Sequence, residues 1–277
     1  MAEVRCATIP RVRMLAAFLT VGLMVTAPLA AQDTLNDARR LYNEGKFEAA
    51  ERAARTALAT PRTSNSARVV LGRALLELFR ETASQEHFAQ AREALRSVNA
   101  DQLDVMERVE LMLGVGQGLF LEDRFAAAAE VIEPMIVPST ALGPVAHDRA
   151  LDWWASALDR HAQSRPIGER GPIYARISDR MASEILRDTG SAPANYWLAA
   201  AARSSGDIEG AWNTAMASWV RSILGRDRGV ALRGDLDRLV IQGIIPDRAA
   251  RIGGKEPNMV IAGLVGEWEA FKASWTQ

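Results

Sequence analysis

Apolar residues recur every three to four positions along most of this chain, in runs set apart by Gly, Pro and short polar stretches. The stretch from Ala38 to Ala57, A-R-R-L-Y-N-E-G-K-F-E-A-A-E-R-A-A-R-T-A, shows the pattern at its clearest and predicts helix, tight turn, helix. Gly45 and Lys46 make the break, Phe47 and Ala50 open the second helix, and Ala54 and Ala57 keep its inner face small. The periodicity predicts further helices over Ala67–Phe79, over Val105–Leu121 through Val109, Leu113 and Phe120, and over Asp148–Ala162 with Leu151, Trp154 and Leu158 on one stripe. Pro61, Pro134, Pro138, Pro144, Pro166, Pro172 and Pro193 fall between the predicted runs, where a missing N–H does least harm. No segment alternates with strand period, so the expected fold class is all-α.

A local signature repeats: a polar residue, then Phe or Ile, then Ala three further on. It occurs at Lys46-Phe47…Ala50, His87-Phe88…Ala91, Arg124-Phe125…Ala128 and Asp207-Ile208…Ala211. The markers are 41, 37 and 83 residues apart, the last gap being two periods with one marker missing. Four residues beyond each Ala stands another small or apolar residue: Ala54, Leu95, Ile132 and Ala215.

With Tyr42…Gly45-Lys46-Phe47…Ala50…Ala57…Pro61 in the first unit and Asn195-Tyr196-Trp197…Gly206-Asp207-Ile208…Ala211 in the last, residues 33–222 resemble tetratricopeptide repeats (TPR). The resemblance implies a solenoid of about five helix pairs, three over 32–137 and two over 138–225, with 226–277 as a C-terminal cap. Residues 163–172, holding two Pro and two Gly, read as a ten-residue loop in the fourth unit, after which Ile173, Ile177, Met181 and Ile185 resume a helical stripe. In the cap, Asp235 starts a short helix through Leu236, Leu239 and Val240, and Pro246 opens a brief turn. A closing helix over Asn258–Trp275 points Val260, Leu264, Trp268, Phe271 and Trp275 inward.

The same resemblance implies a non-catalytic scaffold that holds a protein or peptide on a concave face built by the first helix of each pair. Arg39, Tyr42, Arg73, Glu77, Gln117, Phe120, Asp152, Asp159 and Arg203 lie off the apolar stripes of those helices and are the candidate lining. No catalytic, cofactor or metal residue is assigned on this reading.

The first thirty-one residues are of another kind. Arg5, Arg11 and Arg13 precede an uncharged run from Met14 to Ala31, which ends in small residues before Gln32-Asp33. This is the layout of a secretory signal peptide, with cleavage expected after Ala31, no membrane insertion afterwards, and a periplasmic or secreted destination in a bacterial envelope. An uncleaved anchor is the alternative, since ~18 apolar residues can just cross a bilayer. Cys6, the single cysteine, precedes the apolar run, so the processed chain would carry no thiol.

The 277 residues are 48% apolar and 24% charged with a net charge of −1, an ordinary globular balance without the excess that draws a protein to nucleic acid. His147 and His161, with Asp148, Asp152 and Asp159 recurring at helical spacing, offer the competing reading of a metal-dependent protein or enzyme. His87 occupies the turn position of Lys46 and Arg124 and reads as solvated. No HExxH or G-x-S-x-G occurs, and Gly253-Gly254-Lys255 lacks the following Ser or Thr of a phosphate loop. Arg233-Gly234-Asp235 reads as a helix cap. The seven Trp (153, 154, 197, 212, 219, 268, 275) sit mostly at core spacing in the second half.

Overall fold

The computed structural model describes residues 26–253 and 256–275. The expected leader therefore lies, up to residue 25, outside the described residues, as do Gly254 and Lys255; the first helix begins at Thr26. The described residues are helical throughout, with no strand among them. In order the helices are α1 (Thr26–Asn43), α2 (Phe47–Leu58), α3 (Ser64–Thr82), α4 (Gln85–Arg96), α5 (Val105–Leu121), α6 (Phe125–Ile132) and α7 (Pro144–Gln163). There follow α8 (Ile167–Arg187), α9 (Ala192–Ser204), α10 (Ile208–Arg221), α11 (Val230–Leu239), α12 (Ile245–Ile252) and α13 (Pro257–Trp275).

Each helix packs chiefly on its chain neighbours, and the first helices of successive pairs also touch: α1 on α3, α3 on α5, α5 on α7, α7 on α9, α9 on α11. One turn recurs within the pairs. The N–H of Lys46 reaches back to the carbonyl of Leu41, Arg124 to Leu119 and Asp207 to Ala202, each at 2.9 Å. The residue before each donor is left-handed: Gly45 at φ 76°, Asp123 at φ 58° and Gly206 at φ 90°. That pattern satisfies the last carbonyls of the first helix while reversing the chain. Rings lock the turn at 5.6 Å between Tyr42 and Phe47, and at 5.2 Å between Phe120 and Phe125.

The second pair reaches the same end differently. Ala83 is the left-handed residue, Ser84 caps α4 by accepting from the N–H of His87, and Phe88 sits one turn inside α4, 4.8 Å from Phe79. A Thr82–His87 contact also ties that corner.

Small residues set the distance between helices. Ala50, Ala91, Ala128 and Ala211 are all fully buried. A Cβ on Gly72 would run into Leu95, and one on Gly116 into Ile132. Leucine at Ala50 or Ala211 has nowhere to go, and overpacking of this sort costs ~1–3 kcal/mol. Urea denaturation should show that loss for Ala50→Leu and Ala211→Leu, while Ala126→Leu at an exposed site stays within ~0.5 kcal/mol. Equal behaviour of all three variants would refute the packing argument.

Three expectations need correction. The loop expected over 163–172 is only the short link between α7 and α8. Pro166 stands at the N-cap, and Gly168, Gly171 and Pro172 belong to the opening turns of α8, where exposed carbonyls reach water. Pro246 opens no turn: α11 runs into α12 through a π segment, Val240–Ile244. Proline cannot donate, and its ring crowds the carbonyl of Gln242, so the helix widens just ahead of it rather than breaking. Finally, Trp275 is 55% exposed; α13 turns its buried side at Leu264 and Trp268, with Val260 and Phe271 half-buried, and passes beyond the core before its last turn.

Candidate functional site

The first helices of the pairs form one face, and the side chains along it fall into two zones. In the first zone, α1, α3, α5 and α7 enclose a network of charge. Arg39 on α1 donates to Glu107 at 2.7 Å and to Glu110 at 3.3 Å, both on α5. Arg73 on α3 reaches Glu110 at 3.4 Å. Gln117 donates to Glu77 at 2.9 Å, and Arg80 meets the other oxygen of Glu77 at 2.9 Å. Burial would lower the Arg39 guanidinium, but Glu110 and Glu107 outweigh it and hold it above its ordinary value.

The ring of Tyr42 is the hub of this zone. The guanidinium of Arg73 lies 4.4 Å from its centroid, and that of Arg149, from α7, lies 5.3 Å from it and 5.9 Å from the centroid of Phe47. Burial raises the Tyr42 phenol. Gly114 on α5 is required here, because a Cβ would press on the aliphatic stem of Arg73 at 2.9 Å. Of the residues expected to line a groove, Tyr42, Arg73, Glu77 and Gln117 are therefore buried and partnered within the protein, with Arg39 at their edge. Part of the reason lies in α7, which brings Arg149 back onto the rings of Tyr42 and Phe47 in the first helix pair.

The second zone, over α5, α7, α9 and α11, is open. Phe120 meets Trp153 edge-on at 4.9 Å, and Arg80 lies 5.7 Å from the Trp153 centroid. Tyr196 on α9 follows, packed edge-on against Trp197 at 5.3 Å. Phe120, Trp153 and Tyr196 are half-buried. The indole N–H of Trp197 donates to Asp152 at 2.8 Å, and Tyr174 donates to Asp159 at 3.1 Å. Asp152 is exposed, yet the protein around it raises its carboxyl by more than the Trp197 hydrogen bond and nearby Arg80 lower it. Burial, then Asp235, Asp152 and Asp159, raises the Tyr196 phenol.

Beyond Tyr196 lies a concavity of about 420 Å³ between α9 and α11, lined by Tyr196, Arg203, Asp235, Arg238, Leu239, Gln242 and Gly243. Arg203 donates to Asp247 at 2.7 Å, and its guanidinium lies where a Cβ on Gly243 would stand. Of the remaining expected lining residues, Asp152 is exposed, Phe120, Asp159 and Arg203 are half-buried, and Arg203 lines this concavity.

The five residues of the competing metal reading are not brought together. His147 is buried, its Nδ1 2.9 Å from the carbonyl of Ile136 and 3.0 Å from Ser139 Oγ, its Nε2 beside Arg187 and Glu184. Burial would raise the Glu184 carboxyl, but Arg187 and His147 hold it below its ordinary value. Asp148 pairs with Arg226, Asp152 with Trp197, Asp159 with Gln163 and Tyr174, and His161 faces Pro172 and Arg176. Among the described residues no group of three His, Cys, Asp or Glu is placed to hold a metal ion.

Sequence reasoning missed Glu107, Glu110, Arg149, Arg80, Trp153 and Tyr196 as members of this face. One signal was present for the two glutamates: they stand three apart in a helix that, Arg108 and Gln117 aside, is otherwise apolar or Gly, and a charge in such a run needs a buried partner. Nothing local pointed to Arg149, whose partners lie in the first helix pair. Comparison of the chain with protein-family models, with characterised proteins and with solved structures finds no match.

Proposed function

We propose that this chain is a non-catalytic scaffold, similar to TPR solenoids, that holds a protein or peptide partner on the inner face of its second half. The observation that carries the reading is the contrast between the two zones. In the first, polar side chains are buried and paired with one another; in the second, Phe120, Trp153 and Tyr196 are only half-buried, and Tyr196 lines a concavity. Large amphipathic rings with remaining exposed surface are what a peptide groove uses, because they bury much area at little entropic cost. The proposed partner lies across α9, with α7 and α11 as walls.

The reading places the protein in the cell envelope after removal of the leader, which rests on the Arg5–Ala31 pattern alone. Intact mass of the protein from its own host should correspond to a start near Gln32; an intact Met1 would remove that part. For the groove, a photo-crosslinking residue at Tyr196 should trap a defined partner in host envelope extracts, and the same residue at exposed Arg52 on α2 should not. Equal yields at the two sites, or none at either, would defeat the scaffold reading.

A further inference from the structure

We propose that the partner presents a basic side chain, arginine or lysine, to the groove over α9; this rests on the scaffold reading above and names the chemistry it selects. The argument begins with charge. Around Tyr196 stand Asp152 and Asp159 from α7, and Asp235 and Asp247 from the α11–α12 stretch. The guanidinium groups that line the same concavity are already engaged, Arg238 with Asp235 and Arg203 with Asp247 at 2.7 Å. Asp152 and Asp159 have no cationic partner within salt-bridge distance among the described residues; they accept only from Trp197, Tyr174 and Gln163. Two carboxylates of α7 near Tyr196 are thus without an ion-pair partner, Arg80 acting on Asp152 only from a distance, and are left for an outside cation.

The aromatic rings add a second, independent preference. Trp153 and Tyr196 line the approach to those carboxylates, and the faces of such rings attract cations by their quadrupole. The protein itself illustrates the fit: the Arg80 guanidinium lies 5.7 Å from the Trp153 centroid while bonded to Glu77. A partner side chain that lies against Trp153 or Tyr196 and ends at Asp152 would use both features. Arginine suits this better than lysine, since its flat guanidinium can stack and bond at once. Asp152 is exposed, so the pair itself counts as an ordinary surface ion pair, and the ring contact supplies the rest of the preference. An acidic or purely apolar segment would leave that carboxylate in a groove emptied of water.

The test uses the full chain and two capped pentapeptides, Ala-Arg-Ala-Arg-Ala and the same peptide with citrulline for arginine, read by tryptophan fluorescence. The arginine peptide should bind about tenfold more tightly than its citrulline twin, the sum expected of one ion pair and one cation–ring contact. That preference should shrink in 0.5 M salt and vanish in the double variant Asp152→Asn/Asp159→Asn, whose side-chain amide in place of the Asp152 carboxylate still offers an oxygen to Trp197. Arg80→Gln, which frees the face of Trp153, should bind the arginine peptide at least as tightly as the parent. Equal affinity for the two peptides would overturn the cation preference and leave the groove itself standing. A preference that survives in the double variant would also overturn it, by placing the cation elsewhere. Binding of neither peptide would overturn it as well, while the crosslinking at Tyr196 decides the scaffold reading independently.

Discussion

Trp268→Ala is expected to lower stability by about 3–5 kcal/mol, among the largest losses a single side chain of this protein can give. Trp268 is fully buried where α13 closes over α10 and the π segment. Its ring packs edge-on against Trp219 at 5.4 Å and Trp212 at 5.9 Å, and stacks on Phe271 at 5.7 Å. Its N–H donates to Asp237 at 2.9 Å, and Lys272 donates to the same oxygen at 2.6 Å. Burial would raise the Asp237 carboxyl, but those two hydrogen bonds keep it below its ordinary value. Alanine opens a cavity among three rings and removes one of the two donors. The buried cluster around Trp268 is built from Ala199 and residues between Ile208 and Leu264, so the damage should be regional. Amide exchange should rise first in α10–α13, with α1–α4 protected until global unfolding. Trp275→Ala, at an exposed site, should stay within ~0.5 kcal/mol. A loss below ~1 kcal/mol for Trp268→Ala, or an even rise in exchange along the whole chain, would show that the terminal helix is not a regional closure.

Helices proved more legible in the sequence than contacts. The expected run Val105–Leu121 coincides with α5 because its ends carry strong local chemistry: Asp104 and Glu107 cap each other's backbone at the start, and Asp123 turns left-handed after the end. The α8 start was missed because Pro and Gly read as breakers, although Gly168 and Gly171 stand in its exposed opening and Pro172, inside the helix, frees only the carbonyl of Gly168. The α11–α12 stretch was missed for a related reason, since a π segment is invisible to a rule that ends every helix before proline. For the site, periodicity put Arg39, Tyr42, Arg73, Glu77 and Gln117 on one face, but it cannot say what covers that face. Arg149 reaches Tyr42 from another helix pair, and only tertiary structure brings it there. In the open zone, periodicity names Phe120, Asp152, Asp159 and Arg203 as candidate lining, whereas Trp153 reads as core and Tyr196 only as part of the repeat signature.

Glu110→Ala should cost about 3 kcal/mol or more, because it removes one partner from a buried ionic network and strands the other. Glu110 is 9% exposed and is the carboxylate within reach of Arg73, which is itself 6% exposed. Arg39 keeps Glu107 at 2.7 Å, so its charge stays compensated. Arg73 has no such reserve. Its Nε already lacks a hydrogen-bond partner among the described residues, and Arg149 on the far side of Tyr42 adds a like charge. Without Glu110, Arg73 keeps no ion-pair partner while a second guanidinium stands at the same ring, which should loosen the packing of α1 and α7 around Tyr42. The double variant Arg73→Met/Glu110→Leu removes the charge together with its partner and refills the space with apolar side chains. It should recover most of the loss, since replacing a buried pair by packed apolar groups is often neutral. Urea denaturation of the parent, Glu110→Ala and the double variant decides the matter. A single variant within ~1 kcal/mol of the parent would mean that water reaches Arg73, and that the first zone is an open groove after all.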